Sequence, residues 1–510
     1  MRFFMFALAM VVLVIALTIL GLTSSLHAQP PKKNQIKELV QQALDHWQVP
    51  GAALAIIHDD KLVYLQGFGV KEKGLPAPVT PDTVFPIASC SKTLTVTLIA
   101  MLVEDGKIWW DDPVRKHLPW FRLADPLADW NVTIRDLLTH RTGLGKHEPL
   151  WYKTPLTMEE RAKRLQFLEP TYSFRSHFEY QATAYGTAGL AAAQAGKSTW
   201  EDLIQKRVFT PLDMKTASPT YPGAGKVDLA GPHKLTARGV VKLERYPLDI
   251  PDPAGTVHAS VRDLSKFLQF ILRGGVIVTP DQKQKRLVSR DNLFETLSSQ
   301  MVVPRKGLAE MLNPHTNVLT YTLGWVAQDY RGKWMLLHGG TVDGFRVQLT
   351  LVPEAKLAIA LVNNLDRTWM NFALSNTLVD RFCELKHIDW NNYCESIDKE
   401  VQRLEKQSLN AVLASRKKGT KPSQPLANFA GKYFYPAYGT CAIEFAKDSQ
   451  GNDELLWKWN QEQSRLEHFH FDTFLAKAGP ADAIALTFQL TDTGLPAALR
   501  VMERNFRRLP

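Results

Sequence analysis

The sequence predicts an α+β fold followed by a small all-β module, and three observations predict it. Apolar, strand-like runs stand near both ends of residues 35–385, around a helical middle. Beyond residue 425 the pattern changes to short alternating runs separated by turns. The chain has 510 residues, too long for one ordinary core, so two or three domains are expected.

The elements follow in order. Phe3–Leu22 is almost wholly apolar after a single charge at Arg2, and Thr23-Ser24-Ser25-Leu26-His27-Ala28 follows it. This reads as an export signal cleaved after Ala28, or as an uncleaved membrane anchor. Either way, residues 1–28 direct the folded part out of the cytoplasm, to a periplasmic or secreted location. Asn34–Trp47 has helical periodicity and stops at Pro50-Gly51. Ala52–His58 and Lys61–Phe68, joined by Asp59-Asp60, suggest a hairpin. Ser89–Glu104 reads as a long apolar helix, Thr133–Thr139 as a short one, Ala184–Ala195 as an Ala-rich one and Asp263–Leu272 as an amphipathic one. Leu336–Val352 and Leu357–Val362 read as neighbouring strands, and Asn371–Phe382 as a closing helix. The domain is thus placed at 35–385, with one sheet joining its two ends.

Residues 386–425 read as a helical and polar linker: Asp398–Arg416 is charged and helix-like, and Lys417–Pro425 is polar with two prolines. In 426–510, Gly439–Phe445, Leu455–Trp459, Leu466–Leu475, Ile484–Leu490 and Leu499–Met502 read as strands of a partly closed barrel.

The net charge of +10 is modest for this length. Its one dense basic run, Arg416-Lys417-Lys418 with Lys421, falls in the linker and reads as solvated, so no nucleic-acid partner is expected. Of the four cysteines, Cys383 and Cys394 could bridge in an oxidising compartment, and Cys90 reads as a small apolar packing residue. Spacing suited to a metal is lacking, and no cofactor is expected. His468-Phe469-His470-Phe471-Asp472 reads as a strand with Phe469 and Phe471 inward, rather than as a metal site.

The strongest chemical signal is Ser89-Cys90-Ser91-Lys92. Positions three apart share one helix face, so the amine of Lys92 stands beside the hydroxyl of Ser89. A serine alcohol needs a neighbouring base to become a nucleophile, and a partly buried lysine can serve. The bare pattern recurs at Ser396 with Lys399 and at Ser415 with Lys418, but only Ser89 opens an apolar helix.

Further segments, in order, carry a resemblance. Val132–Leu144 (VTIRDLLTHRTGL), Phe178–Tyr185 (FEYQATAY), Pro211–Met214 (PLDM), Pro253-Ala254-Gly255 with Asp263–Phe267, and His338-Gly339-Gly340-Thr341 before Gly344-Phe345 follow the Ser-x-x-Lys. Over residues 35–385 the chain resembles the class C β-lactamase-like serine hydrolases of the β-lactamase/penicillin-binding superfamily. The resemblance implies a β-lactamase/transpeptidase-like fold, an antiparallel sheet flanked by helices with a helical subdomain. It implies Ser89 as nucleophile, Lys92 and Tyr180 sharing the proton work, and His338 beside them, bonded to substrate or to Tyr180. It also implies backbone N–H groups of Ser89 and Thr341 as oxyanion hole, with Gly339 and Gly340 letting a substrate lie along the strand. His140, in the turn, reads as structural and satisfied by backbone.

One position departs from the family. Its Tyr-x-Asn is Tyr180-Gln181-Ala182 here, and Ala182 offers no donor or acceptor, which weakens the case for β-lactam hydrolysis. The expected substrate is a small molecule or peptide, cell-wall-derived substrates included, cleaved at an amide or ester. A DD-peptidase or weak β-lactamase is the second reading, and an inactive peptidoglycan- or peptide-binding relative the third. The C-terminal module resembles the lipocalin-like β-domain appended to many such hydrolases, through Tyr433–Thr440 and Leu466–Phe474. The resemblance implies that it packs near the site and narrows access.

Overall fold

The computed structural model describes residues 30–222, 227–279, 281–478 and 481–510. The apolar segment 1–28 lies outside the described residues. Among those described, no helix is long and apolar enough to cross a membrane.

Gly51–His58 (β1) and Lys61–Gly69 (β2) form the expected hairpin. Asp59 and Asp60 both have positive φ, 48° and 64°. Aspartate tolerates that region, and a turn of this hand matches the twist of the strands. Met301–Val302 (β3), Leu319–Tyr321 (β4), Val326–Tyr330 (β5), Lys333–Val342 (β6), Phe345–Val352 (β7) and Leu357–Asn363 (β8) complete an eight-stranded sheet. Its order is β2-β1-β8-β7-β6-β5-β4-β3, with every neighbouring pair antiparallel. The two ends of the domain meet where β1 pairs β8, Ala52 opposite Asn363.

The central strands are buried on both faces, with period 2. Ala53, Ala55 and Ile57 enter one core with Ala358, Ala360 and Val362; Ala52, Leu54 and Ile56 enter the other with Leu357, Ile359 and Leu361. The second core is closed by Lys33–Trp47 (α1) and Met370–Phe382 (α5). The first is closed by Ser91–Glu104 (α2), Ala182–Ala195 (α3) and Val261–Leu272 (α4). Every residue of α2 from Ser91 to Val103 is buried, its polar Ser91, Lys92, Thr93, Thr95 and Thr97 along with the apolar run from Leu98 to Val103.

The charged helix (α6) runs Trp390–Ala414 and so starts eight residues before the charge pattern suggests. The Asp389 side chain caps it, and Trp390, Cys394 and Ile397 bury its first turns. Arg416, in the basic run, donates to Phe469 O and His468 O rather than standing free. All four cysteines are unpaired, so Cys383 and Cys394 form no bridge.

The C-terminal barrel is closed, not partly closed. Its strands are Gly431–Tyr435 (β9), Gly439–Lys447 (β10), Asp453–Trp459 (β11), Glu462–His470 (β12), Thr473–Ala478 (β13), Ala481–Leu490 (β14), Pro496–Val501 (β15) and Arg504–Arg508 (β16). Closure comes from β9 pairing β16, with Tyr433 opposite Arg508. Phe429, Tyr433, Trp457, Phe474, Phe488 and Phe506 fill the interior. Leu466–Leu475 is two strands, not one. Phe471 sits in the turn between them with φ 45° and is exposed, while Phe469 is buried.

Candidate active site

Ser89 lies on a 3-10 turn, Ala88–Cys90, that feeds directly into α2. Ala88 before it is held at φ 46°, a region that costs a residue with a Cβ roughly 1–2 kcal/mol. Three contacts hold the turn. Ser91 Oγ donates to Ala88 O at 2.6 Å, Val257 N–H donates to Ser91 Oγ at 3.1 Å, and Cys90 Sγ donates to His338 O on β6 at 3.2 Å. Ser91 is therefore locked and buried, while Ser89 is only half-buried. Burial pushes the Cys90 thiol far up, so it acts as packing.

Lys92 is fully buried. No hydrogen bond joins it to Ser89; Nζ donates instead to Ala254 O at 2.8 Å. The acceptor is set in turn by Asp252, whose carboxylate accepts from Ala254 N–H at 2.7 Å and from Arg161 Nη1 at 2.7 Å. This gives the Pro253-Ala254-Gly255 segment a role that spacing did not show. Nζ stands 4.9 Å from the ring centre of Tyr180 and 5.4 Å from that of Tyr185. At a desolvated site such a contact is worth ~2 kcal/mol. Among the described residues no carboxylate pairs with Lys92. The lysines of the other two Ser-x-x-Lys patterns, Lys399 and Lys418, are exposed.

Tyr180 belongs to the irregular segment before α3, and its OH is buried without a partner among the described residues. Gln181 caps α3 by accepting from Ala184 N–H, so its carbonyl oxygen is committed to the helix. Its Nε2 is buried and unpartnered. Ala182 is the first residue of that helix.

His338, on β6, bonds to Tyr321, not to Tyr180: its Nε2 lies 3.2 Å from Tyr321 OH, and its ring centre is 6.4 Å from that of Tyr180. Its Nδ1 lies 2.8 Å from Gly339 O, which only an N–H can satisfy, so Nε2 accepts from the phenol. Burial, with the Lys92 charge second, pushes His338 down to about 3 and keeps it neutral.

The two glycines differ. A Cβ on Gly340 would meet Ile87 O at 2.2 Å, whereas on Gly339 the nearest atom is 4.0 Å away. Close approach at Gly340 is thus to the strand-to-turn segment carrying Ser89, not to a ligand. It brings β6 against that segment, with Thr341 next along the strand and exposed.

Three neighbours of the site have no chemical role assigned from the sequence. Tyr185 OH lies 2.9 Å from Lys92 O and 2.8 Å from Leu323 O. Tyr321 is buried against His140, Tyr180 and His338. His140 is buried with its ring centre 4.4 Å from that of Tyr180. Two of them carry a sequence signal: His140 in the Leu138–Leu144 turn and Tyr185 at the end of the Phe178–Tyr185 segment.

The barrel reaches this part of the domain through the β11–β12 turn. Asn460 Nδ2 donates to Pro149 O and Tyr152 O, Gln461 N–H to Lys153 O, and Glu462 pairs with Lys153. Tyr152 OH in turn donates to Asp343, two residues past Thr341, at 2.8 Å.

The Beta-lactamase family model matches residues 36–381, over half of the chain. The chain belongs to that family. As a serine hydrolase of the Beta-lactamase family, it carries a second match, a domain of unknown function (DUF3471), over residues 415–509. It is similar to an unguisins hydrolase of Aspergillus campestris, 26% identical over 442 residues, covering 81% of this chain and 78% of the relative. Protein flp of Staphylococcus aureus is 24% identical, covering 66% of this chain and 64% of its own length. Among solved structures, an octameric penicillin-binding protein homologue from Pyrococcus abyssi superposes with a TM-score of 0.60 at 20% identity, covering 93% of this chain and 99% of the other. A D-amino acid amidase from Ochrobactrum anthropi superposes with 0.54 at 24% identity, covering 68% and 97%. At these identities both support the fold alone.

Proposed function

We propose that this serine hydrolase cleaves an amide or ester in a small molecule or short peptide through an acyl-enzyme on Ser89. Ser89 Oγ attacks the carbonyl carbon, and its proton passes to the Lys92–Tyr180 pair. Charge developing on the carbonyl oxygen falls to the backbone N–H groups of Ser89 and Thr341; one such donor is typically worth about 3 kcal/mol. Tyr180 returns the proton to the leaving group, and water then releases the acyl group. His338 stays neutral and holds the wall of the site. The observation that carries this reading is one constellation. A half-exposed serine on a strained turn stands one helical turn before a buried amine, that amine lies beneath the phenol of Tyr180, and among the described residues the amine has no carboxylate partner and the phenol OH none at all.

An amide is the favoured bond. The D-amino acid amidase that shares the fold suggests this bond, and Ala182, which offers no side-chain contact to a β-lactam amide, disfavours a β-lactam as the substrate. We also propose export, on the strength of the apolar segment before Ala28; a mature N-terminus at Gln29 in the secreted fraction would support it.

The test is labelling with a fluorophosphonate and with a fluorescent penicillin, beside turnover of D-amino-acid amides, p-nitrophenyl esters and nitrocefin. Fluorophosphonate labelling and amide or ester turnover, both absent in a folded Ser89→Ala protein, are expected. Turnover that survives Ser89→Ala refutes the assignment. Labelling by the penicillin as well would move the substrate towards the penicillin-recognising reading. Failure of both probes on folded wild-type protein would favour a binding protein.

A further inference from the structure

We propose that His140 is the positioning residue for Tyr180, fixing the phenol's place over Lys92 from both sides of the main chain. The inference rests on the reading of Tyr180 as a proton-transfer group.

Tyr180 stands on a segment without helix or strand, so its backbone gets no support from a regular ladder. His140 supplies that support. Glu179 N–H donates to His140 O at 2.9 Å, and Gln181 N–H donates to His140 Nδ1 at 3.1 Å. The two neighbours of Tyr180 are thus tied to one residue, one through its main chain and one through its side chain. The same imidazole lies against the Tyr180 ring, 4.4 Å between centres and tilted by 39°. Moving Tyr180 would break two hydrogen bonds and a ring contact together.

His140 itself is held in a conformation that few residues adopt, φ 57°. Strain of this kind persists only where the surroundings over-determine it. Here they do. The carboxylate of Asp136, fully buried on the preceding helix, accepts from Arg141 Nε at 2.6 Å and from Arg175 Nη2 at 2.7 Å. Arg175 N–H donates to Arg141 O at 2.8 Å. The turn that carries His140 is therefore pinned just before and just after it.

The clamp needs a neutral ring, because Nδ1 must keep its lone pair to accept the Gln181 amide. Burial first, then the charge of Lys92, holds His140 well below the usual histidine range. Its Nε2 is buried without a partner and carries the hydrogen.

The experiment compares His140→Asn with His140→Phe, alone and with Tyr180→Phe, in p-nitrophenyl acetate turnover. Asparagine offers Oδ1 near the place of Nδ1 and tolerates positive φ; phenylalanine keeps a ring but has no acceptor. We expect His140→Asn to stay within about fivefold of wild-type kcat. His140→Phe should lose on the order of 10²-fold in kcat with KM nearly unchanged, the scale of acid–base catalysis. In the Tyr180→Phe background, His140→Phe should add no further loss. Wild-type kcat in His140→Phe, equal loss in both His140 variants, or an additive loss in the double variant would each overturn the proposal. If His140→Phe does not fold, His140→Ala replaces it. Rescue of kcat by at least tenfold in His140→Asn over His140→Ala is then expected, and no rescue refutes the clamp. Full kcat in Tyr180→Phe alone would instead remove the role of Tyr180, and the clamp with it.

Discussion

Lys92 is a costly side chain to place, a flexible amine taken wholly out of water with one carbonyl acceptor and two aromatic faces. Lys92→Met keeps the volume and removes the charge. We expect turnover to fall by 10³-fold or more while the melting temperature holds or rises, as measured by substrate assay and thermal unfolding. A fall in stability with activity kept would mean that the amine is structural. The neighbouring histidines make a second statement at this scale. Burial first pushes His338 down to about 3 and His147 and His258 to about 4, while an unfolded chain binds those protons near pH 6.5. Between the two values the unfolded state holds more protons, so stability falls as pH drops. The melting temperature should be level above about pH 7 and decline steadily from about pH 6.5 towards pH 4; a flat profile across that window would contradict the burial of these rings.

The element that organises the site is β6, and Gly340 is where it touches the turn bearing Ser89. Gly340→Ala places a Cβ 2.2 Å from Ile87 O, so strand and turn must part. Overpacking of this kind costs about 1–3 kcal/mol, and activity should fall further than stability because the oxyanion donors separate. Gly339→Ala, with 4.0 Å of clearance, should unfold like wild type in a denaturant titration. These elements also show what the sequence makes legible. Unbroken apolar runs mark β1 and β8 because both their faces are buried, and Asp59-Asp60 marks the hairpin because its turn needs positive φ. Ser89 stands out from Ser396 and Ser415 because it alone opens a largely apolar helix that is buried on every side. That His140, Tyr185 and Tyr321 meet was not legible, because widely separated segments supply them and a motif places a residue in the chain but not against its partners. The single run Leu466–Leu475 concealed a turn because an apolar residue, Phe471, takes the left-handed position usually given to glycine.

Across the whole molecule, barrel and hydrolase domain share a polar joint. His147 Nδ1 lies 2.6 Å from Tyr438 OH, close to the Asn460–Glu462 turn. Burial keeps His147 neutral, and its Nδ1 shares a hydrogen bond with the phenol. Tyr438→Phe leaves that nitrogen buried without its partner, which should cost about 1–3 kcal/mol in denaturant unfolding. A change below 0.5 kcal/mol would show that the joint is wet. The joint also links the barrel to the turn after β6 through Lys153, Tyr152 and Asp343, so loosening it should alter KM for longer substrates before it alters the chemistry.

The four separate thiols carry a practical corollary. Cys90, Cys394 and Cys441 are buried and Cys383 is half-buried, and burial pushes all four above their ordinary range. None presents a ready thiolate. The enzyme's output should therefore be indifferent to redox poise, working alike in reducing and oxidising surroundings and surviving alkylating reagents that silence cysteine hydrolases.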